Sequence, residues 1–78
     1  MREKELRFVA TYFTTAEAMA TERLCKEKGI PGKLISAPRS VSADCGIAFA
    51  TEVSCKETLM EALAEKGIEV QGYHELYV

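Results

Sequence analysis

Short apolar runs alternate along this chain with longer stretches that mix apolar and charged residues. The run "RFVATYF" at 7–13 combines β-branched and aromatic residues, which favours a strand. The runs "GKLISA" at 32–37 and "GIAFATE" at 46–52 have the same character. A last strand is expected within "IEVQGYHELYV" at 68–78, with a bulge or a turn at Gly72.

Two stretches between these runs carry helix signals at both ends. The first begins with Thr14 and Glu17 in the spacing of a capping box, and the second repeats that spacing at Ser54 and Glu57. Each stretch stops at a glycine followed by an isoleucine that can fold back on the last turn, as a Schellman-type end requires. The residues expected along the inner side of the first helix are Ala16, Met19, Ala20 and Leu24.

The resulting order is β-α-β-β-α-β, which predicts an α+β fold of the ferredoxin-like, split β-α-β type. In that arrangement both helices lie on one face of an antiparallel sheet. Alternation along the first strand places Val9 and Thr11 on one side of the sheet and Phe8, Ala10 and Tyr12 on the other. We therefore expect a second, open sheet face of moderately apolar character, which could join two copies as a homodimer.

Length and composition narrow the class of protein. A chain of 78 residues with 47% hydrophobic and 28% charged residues is expected to form a single globular domain over 1–78. Its net charge of -2 argues against a nucleic-acid partner and against an anionic membrane surface. Because no run reaches the length of a spanning helix and the start "MREKELRF" is charged, we expect a cytoplasmic location with no membrane partner.

Three cysteines are present in spacings that suggest neither a disulfide framework nor a zinc site, so free thiols and no metal are expected. Cys55 falls on the inner stripe of the second helix and is predicted to be a small buried hydrophobe. Cys25 falls at or beyond the edge of the first stripe, which leaves it as a packing residue or an incidental surface residue.

Cys45 differs because it lies in or beside a polar loop, between Asp44 and Gly46. A thiol in such a loop meets solvent more readily, which makes Cys45 the best nucleophile candidate. Arg39 in the same loop could favour the thiolate and hold a small anion, whereas Asp44 would act in the opposite direction.

Plainer interpretations stand beside this one. A single cysteine at the start of a strand is commonly a packing residue, and Pro38-Arg39 can be an ordinary turn with a solvated arginine. His74 is expected to be an exposed or strand-edge side chain. The glycine patterns of nucleotide sites are absent from the sequence, so no cofactor is expected, and a soft-metal site would need a second ligand near Cys45.

The nine residues "PRSVSADCG" at 38–46 resemble the motif P-R-x-apolar-S-x-x-C-G of the selenium/sulfur (Se/S) carrier-like family. The resemblance extends over most of the chain, including the helix start after Thr14 and the turn "GIPGKLI". The matching motif residues are Pro38, Arg39, Ser40, Val41, Ser42, Ala43, Asp44, Cys45 and Gly46.

This resemblance implies a carrier of sulfane sulfur or selenium, held on Cys45 as a persulfide or a perselenide, rather than a true enzyme. Arg39, Ser42 and the backbone N–H groups around Gly46 would stabilise the terminal anion. The implied partners are proteins that donate and accept the sulfur or selenium. The alternative is a non-catalytic ferredoxin-like module that binds a partner or a small anion, and such a module should tolerate Cys45→Ser.

Overall fold

The computed structural model describes residues 5–39, 41 and 46–78. Its elements confirm the predicted α+β class and the predicted order of helices and strands. A single-turn 3-10 helix precedes the second α-helix. The bounds are β1 Leu6–Thr11, α1 Thr15–Lys28, β2 Lys33–Ser36, β3 Ile47–Glu52, the 3-10 turn Val53–Cys55, α2 Lys56–Lys66 and β4 Gly72–Tyr77.

The strands form one antiparallel sheet in the order β2-β3-β1-β4. β1 lies in the interior of the sheet, where Phe8 is opposite Thr51 of β3 on one side and Glu75 of β4 on the other. Among the described residues, β2 pairs only with β3 and β4 only with β1, so these two strands form the edges of the sheet.

Both helices contribute to one apolar cluster with the side chains of β1 and β3. The buried residues of that cluster are Phe8, Ala10, Tyr12, Ala18, Leu24, Cys25, Ile30, Phe49, Leu59, Ala62 and Leu63. A smaller cluster on the opposite face buries Val9, Ala48 and Ala50. The sequence predicted that this second face would be open. Val9 is fully buried, so the face is closed at its centre and that prediction is wrong there. Its partly buried margin contains Ile35 and Leu76.

The buried side of α1 differs from the predicted stripe. Ala18, Thr21, Leu24 and Cys25 are buried, whereas Ala16, Met19 and Ala20 are exposed. The buried positions follow the helical period, but so do other sets in this alanine-rich helix. Alanine and threonine fit either environment, so the sheet decides which side of α1 turns inward.

The predicted caps have different outcomes at the two helix starts. The capping box of α1 is confirmed, because Thr14 Oγ1 accepts a hydrogen bond from Glu17 N–H at 3.4 Å and the Glu17 carboxylate accepts one from Thr14 N–H at 3.2 Å. The box at Ser54 and Glu57 is wrong. The 3-10 turn occupies that segment and moves the start of α2 to Lys56, with Cys55 at the N-cap and no side-chain cap bond.

Both helix ends are confirmed. Gly29 and Gly67 adopt left-handed conformations with φ of 74° and 69°. The N–H of Ile30 then donates to the Cys25 carbonyl at 2.9 Å, and that of Ile68 donates to the Leu63 carbonyl at 3.0 Å. These bonds, between residues five apart in the chain, define the Schellman motif. The local glycine-isoleucine signal therefore correctly predicted the end of each helix.

We predict that Gly32→Ala costs more stability than Gly29→Ala. A Cβ on Gly32 would lie 2.6 Å from the Phe49 ring and 2.7 Å from the Ala50 carbonyl oxygen, whereas a Cβ on Gly29 meets open space. Both glycines have positive φ, a conformation that strains an alanine at either position. Overpacking should add about 1–3 kcal/mol at Gly32. Urea unfolding under reducing conditions measures both losses, and equal losses would contradict the crowding at Gly32.

Candidate functional site

The loop that carries the sequence motif is anchored at its base by the β2-β3 hairpin. The ladder continues past its last strand pair, Ser36 opposite Ile47, because the N–H of Ala37 donates to the Gly46 carbonyl at 3.0 Å. Positions 38 to 45 therefore connect two chain ends that are held together by the sheet. The fold fixes where this loop starts and where it returns.

The first part of the loop is a turn closed by its own backbone. The N–H of Val41 donates to the Pro38 carbonyl at 3.1 Å. Pro38 is the first residue of this turn and Arg39 the second. Arg39 is exposed, so its guanidinium can meet a solute or a partner protein. A turn with a solvated arginine is the plainer of the two interpretations that the sequence left open.

Gly46 has a backbone conformation that explains why glycine follows the motif cysteine. Its φ is 74°, in the left-handed region, and the residue is exposed. Open space surrounds the position where a Cβ would lie. Glycine is therefore required here by the backbone angle and not by crowding.

Ser42 and Cys45, two of the predicted site residues, lie outside the residues that the structure describes. The motif residues Ser40, Ala43 and Asp44 lie outside them as well. Arg39 and Gly46 are described, and they belong to the same hairpin connection. The chemistry expected of Cys45 accordingly stays a prediction.

The other two cysteines have contrasting environments. Cys25 is only 2% exposed, so its packing role is confirmed and the incidental surface role is wrong. Burial, with a smaller contribution from the nearby Cys55, raises the pKa of the Cys25 thiol to about 11. Such a thiol is a poor nucleophile near neutral pH. Cys55 packs against the core as expected, but it is only half-buried and lies just before α2 instead of within it.

The described part of the chain supplies little support for other site chemistries. Its histidines, cysteines and carboxylates form no group of three that could hold a metal ion. Within the same residues, no helix combines the length and the apolar character needed to cross a membrane. His74 is half-buried on the edge strand β4, in agreement with the strand-edge prediction.

A groove beside β4 was not predicted. We call it the β4 groove; its volume is about 350 Å³ and its lining residues are Phe8, Lys56, Met60, Tyr73, His74 and Glu75. The Phe8 and Tyr73 rings stack with centroids 5.2 Å apart, and Lys56 Nζ lies 5.9 Å from the Phe8 centroid. Lys56 Nζ also forms an ion pair with Glu75 at 3.4 Å. No local motif marks this groove, because its residues come from β1, α2 and β4.

Comparison with known proteins connects the chain to one family. The sequence model of the family described as "Putative Se/S carrier protein-like" matches residues 7–75. No curated protein and no solved structure matches the chain. The match includes both helices and the whole hairpin connection between β2 and β3.

We predict that the stability of the fold falls as pH rises from about 9 to 11. The pKa of Cys25 is raised from 9.0 to about 11 by folding, so in this window the unfolded chain releases a proton that the folded chain retains. Replacing Cys25 with alanine should make this decline less steep. Burial also raises the pKa of Tyr73, so the stability of Cys25→Ala should still fall somewhat near the upper end of this pH range.

Urea unfolding of both proteins at several pH values between 8 and about 11 tests this linkage. The comparison uses the slope against pH, because Cys25→Ala also leaves a cavity that lowers stability at every pH. An equally steep decline in the variant would show that Cys25 does not cause it.

Proposed function

Because this chain belongs to the family of Se/S carrier-like proteins, we propose that it carries sulfane sulfur or selenium as a persulfide or a perselenide on Cys45. The observation that carries the proposal is the backbone at Gly46, which directly follows Cys45 in the chain. Gly46 is exposed and left-handed at the anchored end of the motif loop. A carrier needs such a loop, because two partner proteins must reach its sulfur in turn.

The transfer is a thiol exchange that conserves atoms and electrons. The Cys45 thiolate attacks the outer sulfur of a donor persulfide, donor-S-SH. A bond forms between the Cys45 sulfur and that outer sulfur while the donor's S–S bond breaks, and the donor leaves as a thiolate with the electron pair. An acceptor thiolate then attacks the carried sulfur and returns Cys45 to its thiolate. Selenium would follow the same sequence, with a selenium atom in the outer position.

The terminal anion of a persulfide needs hydrogen-bond donors and positive charge nearby. Arg39 supplies a permanently charged guanidinium on the exposed turn of the same loop. We assign Ser42 and the backbone N–H of Gly46 as further donors. A left-handed glycine within a turn helps to direct successive N–H groups toward one point, which is how backbone nests bind anions.

This proposed function also implies which partners and which cellular compartment to expect for the protein. Its partners would be a donor and an acceptor of sulfur or selenium, and the exchange would take place in the cytoplasm, where thiols stay reduced. The protein would act as a carrier and not as a true enzyme, because its proposed task is to hold one sulfur or selenium atom on Cys45 and pass it from donor to acceptor. We further propose the ferredoxin-like, split β-α-β arrangement, supported by the strand order β2-β3-β1-β4.

The competing function is a non-catalytic module that binds a partner or a small anion through the same loop. The partly buried apolar margin of the second sheet face favours this candidate; its residues are Ile35, Ala37, Leu76 and Val78. That margin could join two copies face to face as a homodimer. The two functions differ in whether the sulfur of Cys45 is needed.

Sulfur loading tests the carrier function directly. Reduced protein is incubated with a cysteine desulfurase and cysteine, and intact and peptide mass spectra are recorded. We expect a gain of one sulfur on the Cys45 peptide that is absent from Cys45→Ser and that an acceptor thiol removes. Cys55→Ser is the matched control, because it also removes one accessible thiol but should still load. Selenocysteine in place of cysteine, with a desulfurase that also accepts it, forms a donor perselenide whose outer selenium can be transferred in the same way, so loading of the same variants tests the second cargo.

An absence of loading at Cys45 in a correctly folded protein would contradict the carrier function. Loading of Cys55 in place of Cys45 would contradict the assignment of the site.

We also predict that Cys45 reacts with iodoacetamide faster than Cys55 and Cys25 in the native protein, and that Arg39 contributes to this rate. Removing the charge with Arg39→Ala should slow Cys45 alkylation at pH 7 by about threefold, since a nearby cation favours the thiolate. Arg39→Lys keeps the charge and should retain most of the rate. Peptide mass spectrometry over a time course measures each thiol separately.

Equal rates for Arg39→Ala and wild type across pH would remove Arg39 from the mechanism. Equal protection of Cys45 and Cys55 would argue against an exposed carrier thiol.

A further inference from the structure

The two edges of the sheet differ in how well they are protected from pairing with another strand. β2 is four residues long, begins with Lys33 and is preceded by Pro31-Gly32. Short length, an edge lysine and a nearby proline are the devices by which proteins block edge pairing. β4 is six residues long and contains neither lysine nor proline. β4 is therefore the edge that could accept another strand.

The hydrogen bonds at the end of β4 show which of its backbone groups face outward. Glu5 and Val78 exchange both N–H to carbonyl bonds, at 3.5 Å and 3.2 Å, so they form a hydrogen-bonded pair. Such pairs alternate along an antiparallel ladder, and the register then directs the backbone groups of Leu76 and His74 toward β1. The N–H and carbonyl groups of the intervening residues point away from β1; these are Tyr73, Glu75 and Tyr77.

The side chains of those same residues are arranged symmetrically about Glu75. Tyr73 and Tyr77 lie two residues before and after it, on the face of the strand that also carries the helices. Tyr73 is stacked on Phe8, whereas Tyr77 is 68% exposed, the largest exposure among the large apolar side chains that the structure describes. Tyr73 and Glu75 also line the β4 groove.

We propose that the outer edge of β4 pairs antiparallel with β4 of a second copy of this chain, about a two-fold axis at Glu75. Tyr73 of each copy is then opposite Tyr77 of the other, and each Glu75 is opposite its equivalent. Every outward residue of β4 is paired, which gives about six backbone hydrogen bonds and one continuous sheet. The exposed Tyr77 ring gains an aromatic neighbour across the interface.

Neighbouring registers satisfy fewer backbone groups. An axis at His74 would place Tyr77 opposite Gln71, whose N–H already donates to the Thr11 carbonyl at 2.8 Å. With an axis at Leu76, Tyr73 of each copy would have no partner residue, because the position opposite it lies beyond the end of the other copy's β4. The axis at Glu75 alone uses all three outward residues on both strands.

The charges at this edge favour a second copy over an unrelated strand. Two facing glutamates would repel each other, but each Glu75 is paired with Lys56 of its own chain at 3.4 Å. Across the two-fold axis the two ion pairs form a cluster with two positive and two negative charges. The Tyr-x-Glu-x-Tyr pattern is also its own complement when reversed, as a two-fold symmetric interface requires.

Two measurements test this interface in the reduced protein. Sedimentation equilibrium should approach twice the 8.6 kDa of the chain as concentration rises. Hydrogen exchange followed by NMR should show that the amides of Tyr73, Glu75 and Tyr77 become protected over the same concentration range, by about tenfold or more. A chain that stays monomeric, or a dimer in which these three amides exchange freely, would overturn the proposal. The second result is the one expected for pairing through the opposite sheet face.

The matched variants are Glu75→Pro and Glu75→Gln. Proline removes an N–H that faces outward, which an edge strand tolerates, but the same N–H is needed across the proposed interface. Glu75→Pro should therefore weaken dimerisation by about tenfold or more while the helices and sheet are retained. Glu75→Gln loses the same charge and the same ion pair but keeps the N–H, so it should dimerise clearly better than Glu75→Pro. Equal association of the two variants would overturn the proposal, and the amide protection of the wild type decides the question if Glu75→Pro fails to fold.

Discussion

The fold depends on two central strands that bury apolar side chains on both of their faces. In β1, Phe8 and Ala10 face the helices while Val9 faces the other way, and in β3 the same alternation separates Phe49 from Ala48. A fully buried valine or phenylalanine contributes about 1.5–3 kcal/mol, a large share in a chain this short, and a buried alanine contributes less. Because β1 and β3 are held so firmly, the elements attached to them can carry exposed features without loss of the fold.

The motif loop is one such feature. It connects β2 to β3, and the hydrogen bond between Ala37 and Gly46 holds its two ends together. The same core that supports the loop surrounds Cys25 and raises the pKa of its thiol. The fold thus suppresses the reactivity of Cys25, whereas Arg39 and Gly46, on either side of position 45, are exposed. This separation suits a protein whose proposed task needs one selective thiol.

The sheet edges are a second exposed feature, and they follow from the same central pair. With β1 and β3 inside, β2 and β4 must each leave one row of backbone groups without a strand neighbour in the described chain. The β2 edge continues into the motif loop and is short and guarded, whereas the β4 edge is longer and has aromatic residues beside it. Pairing through β4 would use the sheet edge opposite β2, the strand that leads into the motif loop.

The sequence by itself determined the features that depend on a few neighbouring residues. These features have hydrogen bonds that stay within a single turn, so their signals are local and were predictable. They are the capping box at Thr14, the left-handed ends at Gly29 and Gly67, and the turn that contains Arg39. The roles of Arg39, Gly46 and Cys45 in the motif were named from the sequence pattern and stay proposals.

Only the tertiary structure decided which side of α1 is buried, where α2 begins, how far the second sheet face is closed, and that Lys56 and Glu75 meet beside β4. Each of these outcomes depends on residues far apart in the chain. Alanines, threonines and paired charges are compatible with several environments, and the packing of the whole sheet selects one of them.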